Sequence, residues 1–582
     1  MFEGAPRQTL SRAVGIAVVA FVASANSIAN GFVFDDAYNV LHNPWILGFP
    51  ALADAFTHHM AAFAAGLDTS YYRPVMHVLL WASRAVFGPE AWGFHAANVL
   101  LHAGTSAAVY VLLVRWARQD APQQTCAPDA ATSASRLYIS GPAIGALIFA
   151  VHPVHAEAVA WISGIVDLSF GFFFLAAFLV ATSRRSSSWT GPAIAGVLFL
   201  ASLLAKEPAV MLLPTVVVAF GNRGDLWCPT QRVRAWRILA SLSAATFLYL
   251  LLRVNALGGL MGTGGAHRVK VGVVDGFLTA LTLLADYSAL LVWPQRLSAV
   301  HARGVVTTLT PGVVGGVLTL TALAAIAWFG RRSAGVVVGV ALLVLPLLPA
   351  LYVPVLGEGL VAERYLYLPL AGAALLLAIA LEHPLALRAP LALRSATAAL
   401  VIGLLAAGTI SRNEVWRSDL SLWSDAAREE PRSAAAQEYL GHALLAAGDA
   451  SGAIPALTRA LALDPAHHEA RVDLASALAS TGNAAEATRA AELAVTERPT
   501  NASAHTILGY ALSVNGRFSE AAAAYERALE LDPSAAVAHN GLAICVANLG
   551  RMDRAVLHFG EAVRLDPGNP QYARNLALAL GQ

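Results

Sequence analysis

The 582-residue chain is 57% hydrophobic and 13% charged, where an ordinary soluble chain carries about 25% charged residues. That composition excludes a single water-soluble globule, and a net charge of +1 without a basic stripe excludes nucleic acid as a partner. Residues 1–411 are long apolar blocks split by short polar clusters, whereas the remainder is Ala-rich with interspersed charges. The chain therefore reads as all-α: a polytopic membrane domain over 1–411, a linker over 412–433 and a soluble domain over 434–582.

A spanning helix needs about 20 apolar residues. The first candidate, near 12–30, follows Arg7 and Arg12. Its Ala23-Ser24-Ala25 resembles a signal-peptidase site, but the apolar run continues to Ile28, so the helix is expected to be retained. Directly after it comes Phe32-Val33-Phe34-Asp35-Asp36, then Asn43-Pro44. Two adjacent carboxylates at a membrane surface fit a metal site, a general base or a merely solvated loop. The apolar stretch 72–87 contains Arg73, His77 and Arg84 and reads as a helix on the membrane surface. Arg73, in Tyr71-Tyr72-Arg73-Pro74, has the chemistry to hold a phosphate, although interfacial arginines ordinarily snorkel. His95, Asn98 and His102 follow at helical spacing on a span near 92–114.

Spans near 138–155 and 157–183 flank His152-Pro153-Val154-His155-Ala156-Glu157, which continues to Trp161 and Gly164-Ile165-Val166-Asp167. The His-x-x-His-x-Glu array has metal-ligand residue types, but Pro153 breaks the i, i+4 geometry of zinc helices, so no metal is expected. Short spans at 190–205 and 207–221 enclose Lys206-Glu207-Pro208. A span near 237–256 precedes a second surface helix at 277–294, and spans near 312–330, 334–353, 364–382 and 394–411 bring the count to eleven. Glu363-Arg364-Tyr365-Leu366-Tyr367-Leu368-Pro369 opens the tenth. Lys206 with Glu207, and Glu363 with Arg364, each read in isolation as a structural ion pair.

Cytoplasmic loops concentrate Lys and Arg. The clusters Arg7/Arg12, Arg115/Arg118/Arg136, Arg184/Arg185, Arg223/Arg232/Arg234/Arg237, Arg331/Arg332 and Arg388/Arg394 all fall on one side of this arrangement. The N-terminus is then cytoplasmic and the C-terminal domain lies outside, in a periplasm or an equivalent lumen. The same parity gathers Asp35/Asp36, Arg73, His152 to Asp167, Lys206-Glu207 and Glu363-Arg364 at the outer face. Ionisable groups converging at a membrane face point to a site. Cys126, Cys228 and Cys545 are scattered without disulfide or zinc spacing.

In the C-terminal domain, prolines at 431, 465, 499, 533 and 567 and the glycines Gly448, Gly482, Gly516 and Gly550 recur every 34 residues. That is the tetratricopeptide period. Ala453/Ala487/Ala521/Ala555 and Ala460/Ala494/Ala528/Ala562 repeat in register where paired helices must approach. Four hairpins from Ala434 to Asn569 and a capping helix from Pro570 are expected, an α-solenoid. Its concave face should present Glu438, His442, Tyr510, Asn540 and Ile544, a mixed lining suited to an extended peptide or to the chain's own membrane domain. Asn501-Ala502-Ser503 matches a glycosylation sequon but lies in a repeat turn.

The motifs FxFDD, YRP, HPVHxEAVAWI, KEP and ERYLYLP, in this order and followed by the repeats, resemble those of the transmembrane and tetratricopeptide-repeat O-mannosyltransferase family and its bacterial relatives. The resemblance covers nearly the whole chain. It implies a GT-C-type membrane glycosyltransferase that moves a sugar, mannose in that family, from a polyprenyl-phosphate donor to hydroxyls of exported polypeptides, in a bacterial inner membrane. An envelope polysaccharide or lipid acceptor and a non-catalytic repeat scaffold are the alternatives. On this reading Asp35, with Asp36 as alternate, is the general base. Arg364, Lys206 and Arg73 meet the leaving phosphate, and His155, Glu157, Asp167, Glu207 and Glu363 contact substrate. No cofactor is required. One departure stands out: Gly164-Ile165-Val166-Asp167 lacks the arginine expected after the glycine.

Overall fold

The computed structural model describes residues 7–63, 69–117, 140–183, 188–259, 271–352 and 360–581; Arg118, Cys126, Arg136, Arg184 and Arg185 lie outside them. Among the described residues there is no strand. A bilayer offers backbone groups no water, so apolar runs of this length satisfy their own hydrogen bonds as helices. The chain divides into two compact units, 1–421 and 422–582.

Among the described residues of the first unit, eight helices are long and apolar enough to cross a membrane, and the pair Gly141–Ala150 and Pro153–Ala160, bent by 42°, makes a ninth when counted as one span. The expected eleven differ from this count in identifiable ways. Thr190–Ala205, Leu212–Arg223 and Pro369–Leu381 are shorter than a full span, while Val273–Val292, expected on the surface, is long and apolar enough to cross. The break expected between 155 and 157 falls instead at Trp161, because Pro153 only bends the pair and the chain turns fully extended at Trp161. Small residues let helices touch: a Cβ on Gly372 would lie 2.4 Å from the Leu343 nitrogen and one on Gly316 2.0 Å from the Leu281 carbonyl oxygen.

Polar contacts sort into two ends. The helix Ala91–Ala117 begins near the Gly31 carbonyl, bonded by His95 at 3.2 Å, and ends with Trp116 beneath the Arg223 guanidinium at 3.7 Å, about 30 Å further on at 1.5 Å per residue. The second end collects the arginines. Arg115 bonds the Leu179 carbonyl, Arg223 that of Thr182, Arg234 that of Ala181 and Arg394 that of Leu381. Helix C-termini favour such cations. The first end collects the motifs. Connectivity also constrains Val273–Val292. The preceding helix Pro229–Leu257 reaches the motif end, where Arg253 meets Glu207. The following helix Pro311–Phe329 runs to the arginine end, where the Arg331 carbonyl accepts from Asn222. If both cross, Val273–Val292 starts and finishes at the motif end.

The stretch expected as a linker is structured. It comprises the end of Leu391–Val415 and the helix Asp419–Glu429, whose Trp423 stacks on Tyr439 at 4.3 Å. In the second unit hairpins pair Ala434–Ala446 with Ala450–Leu463, His468–Ser480 with Ala484–Glu497, Ala502–Val514 with Phe518–Leu531 and Ala536–Asn548 with Met552–Leu565; Pro570–Ala579 caps them. The four phased glycines adopt φ of 75–84°, which reverses the chain without a Cβ penalty. Proline forces its predecessor out of helical geometry. Asp464, Arg498, Asp532 and Asp566 accordingly hold φ near −135° at the ends of the second helices. All eight phased alanines are 0% exposed.

Candidate functional site

The first helix ends in a turn whose two carboxylates have different surroundings. Asp36 is buried; its Oδ1 accepts from the Ser163 amide at 2.9 Å and hydroxyl at 2.7 Å, and its Oδ2 from the Val33 amide at 3.2 Å. It fastens the turn to the segment after Trp161. Burial pushes its carboxyl up to about 7 against those hydrogen bonds. Asp35 is exposed and is raised from the ordinary range by desolvation, with Arg364 pulling the other way. Between the fastener and the helix, Phe34 is the one non-glycine residue with positive φ among the described residues, at 53°. Its amide donates to Asp419 at 2.8 Å and its ring lies 5.9 Å from Trp161. Such strain survives only where surrounding contacts over-determine it, and it clusters at functional sites.

Arg364 pairs through its side chain with Glu157 Oε1, and its backbone amide donates to Oε2 at 2.7 Å. The guanidinium lies 5.5 Å from the Trp161 ring and 5.4 Å from Tyr365. On the same Tyr365 ring sits Lys206, at 4.9 Å, bonded to Asp167 at 2.5 Å. Glu207 lies between Arg73 at 3.2 Å and Arg253 at 3.3 Å, and Arg253 also bonds Tyr249 and the Ser70 carbonyl. Among the described residues, Arg364, Lys206, Arg73 and Arg253 thus pair with Glu157, Asp167 and Glu207. A stack of Trp161 and Trp416, with centroids 6.0 Å apart, stands beside them, and neither indole nitrogen has a hydrogen-bond partner among the described residues.

The residues singled out by motif therefore gather at one end, but in roles that differ among them. Glu157 and Asp167 are counter-ions of Arg364 and Lys206. The Lys206 side chain is only 7% exposed, against 28% for Arg364. His155 is 1% exposed and packed among Phe149, His102 and Tyr367, so it offers no nitrogen to the surface. Glu363 is buried, accepts from the Ser298 amide at 2.5 Å and faces His301 at 3.5 Å. Sequence reading missed Arg253, Ser163, His301 and Trp416. A lone arginine at the end of an apolar helix was the signal for Arg253; the others carry no motif. Ile165, in the place of the expected arginine, is buried beside Ile162, Met76 and Phe94. In the repeats, Asn540 accepts from Asn575 at 2.8 Å, Tyr510 lies 3.4 Å from the Ser480 hydroxyl, and Glu438 and His442 sit one turn apart.

Two tetratricopeptide-repeat family models match residues 444–509 and 508–570. Among curated proteins, the protein O-mannosyl-transferase Tmtc3 of Drosophila melanogaster is 28% identical over 76% of this chain and 54% of its own length. A protein O-mannosyl-transferase of Caenorhabditis elegans is 26% identical over 76% of this chain and 61% of its own. Human TMTC4, also a protein O-mannosyl-transferase, is 27% identical over 75% and 64%. The chain thus matches between half and two thirds of the length of these relatives. In motif order, in repeats and over three quarters of its length the chain is similar to the transmembrane and tetratricopeptide-repeat O-mannosyl-transferases.

Proposed function

We propose that the chain is a membrane glycosyltransferase that moves mannose from a polyprenyl-phosphate donor to hydroxyls of exported polypeptides, with the repeats recruiting the acceptor. The observation that carries this reading is the turn at 33–36: Asp36 and Phe34 are consumed in fixing it, and Asp35 is left exposed beside Arg364. An acceptor hydroxyl attacks the anomeric carbon and gives its proton to Asp35, while the bond from that carbon to the phosphate oxygen breaks. A carboxylate with a raised pKa is a better base for this transfer. The departing phosphate gains charge, which fixed cations stabilise without reorganising. Arg364, the most exposed of the four, meets it first; Arg73 and Arg253 extend the positive field, and Lys206 supports it from the interior. No divalent ion is assigned to the step. Relatives named as protein O-mannosyl-transferases support mannose and a protein acceptor.

The test is transfer by the purified full chain in detergent, with a polyprenyl-phosphate mannose donor and an unfolded exported polypeptide. Asp35→Asn should lower the rate roughly 10²–10⁴-fold, the usual share of acid–base catalysis, at unchanged donor binding. Full activity in this variant would remove the carboxylate-base mechanism. Mannose found on an envelope glycan, with none on peptides, would redirect the reading to a glycan acceptor.

A further inference from the structure

Glu438 and His442 stand one helical turn apart on Ala434–Ala446, and Asp473 faces them from His468–Ser480 in the next repeat. One nitrogen or oxygen from each lies within 4.8 Å of the others. His442 Nδ1 and Asp473 Oδ2 are already 2.9 Å apart. A histidine–aspartate pair accounts for those two residues and leaves Glu438 unexplained. The residue is 7% exposed, and its carboxylate accepts no hydrogen bond among the described residues and lies within 4.8 Å of the Asp473 carboxylate. A buried acid in that position must be protonated or meet a cation.

We propose that Glu438, His442 and Asp473 bind one zinc ion between the first two repeats. Two carboxylates and a neutral imidazole carry two negative charges, which a divalent ion cancels. The imidazole selects zinc over magnesium and calcium, which prefer all-oxygen shells with more ligands. A carboxylate and a histidine at i, i+4 reach one ion from one helix face. Zinc bonds of about 2.0–2.2 Å require the three atoms to draw closer than their present 4.8 Å limit, and His442, 68% exposed in its side chain, has room to move. Three protein ligands leave a fourth position open. That position is available to water or to a carbonyl, carboxylate or imidazole of a bound polypeptide. The site is independent of the chemistry proposed for the membrane unit.

The experiment is a zinc titration of the full chain in detergent, with purification tags removed and metal stripped, against a chromophoric chelator, followed by cobalt(II) absorption spectroscopy. The expected result is one site per chain with visible cobalt bands, weakened at least about tenfold in Glu438→Gln and in His442→Asn with helical circular dichroism unchanged. Asp473→Asn, a third conservative change, should do the same. Overturning results are a parent chain that binds no zinc, equal affinity in parent and variants, or displacement of zinc by equimolar calcium.

Discussion

Asp35 is exposed, so its removal should cost rate and not stability; for Asp36 the order reverses. Asp36→Ala strands the Ser163 amide and hydroxyl and the Val33 amide, and unsatisfied buried donors cost about 1–3 kcal/mol. The expected outcome is a lower midpoint in thermal unfolding together with reduced transfer, because Asp35 is no longer held in place. An unchanged midpoint would show that the turn does not depend on Asp36. The pH profile adds a second readout. On the proposed mechanism Asp35 must be ionised to take a proton; although its side chain reaches solvent, desolvation by the protein around it raises its pKa while Arg364 lowers it. Activity should therefore fall on acidification at a pH above the ordinary carboxylate range. Arg364→Gln should move that fall to still higher pH. The two aspartates are neighbours in sequence and alike in residue type, so their division of labour was not legible there. It is set by Ser163 and Arg364, 127 residues and more away along the chain.

At the scale of elements, the repeats were legible in full because each 34-residue unit encodes its own geometry. A glycine at positive φ, a proline two residues beyond the second helix, and alanines at the contact suffice. Ala487 is 0% exposed between paired helices. Ala487→Leu adds three carbons with nowhere to go and should cost about 1–3 kcal/mol by overpacking, read as a lower unfolding midpoint of the repeat unit with transfer to short peptides unaffected. The same change at exposed Ala485 should not show this loss. The membrane helices were less legible. Length and apolarity define a span only when the helix is long enough by itself, and Thr190–Ala205, Leu212–Arg223 and Pro369–Leu381 draw their place from neighbours. The ion pairs were beyond reach for a related reason: Glu157 and Arg364 are 207 residues apart, and Arg73 and Glu207 are 134 apart.

For the molecule as a whole, the open quantity is which compartment each end faces. Arg115, Arg223, Arg234 and Arg394 gather at one end of the membrane unit, and Asp35, Arg73, Glu207 and Arg364 at the other. Basic residues in short loops are retained in the cytoplasm, so the arginine end should face inward and the site outward. The last helix of the unit, Leu391–Val415, starts at the arginine end with Arg394 and finishes beside Asn26 and Asn30, both on the segment leading to Asp35. Residues beyond it should consequently enter the compartment that the site faces. On the proposed function, a polypeptide held by the repeats would then reach Asp35 without crossing the bilayer, and tethering would raise its local concentration there. A reporter active only outside the cytoplasm, fused after Gln582, should be active. The same reporter placed after Arg332, in the short turn at the arginine end, should be silent. Activity at Arg332 with silence at Gln582 would invert the molecule, and with it the source of both donor and acceptor.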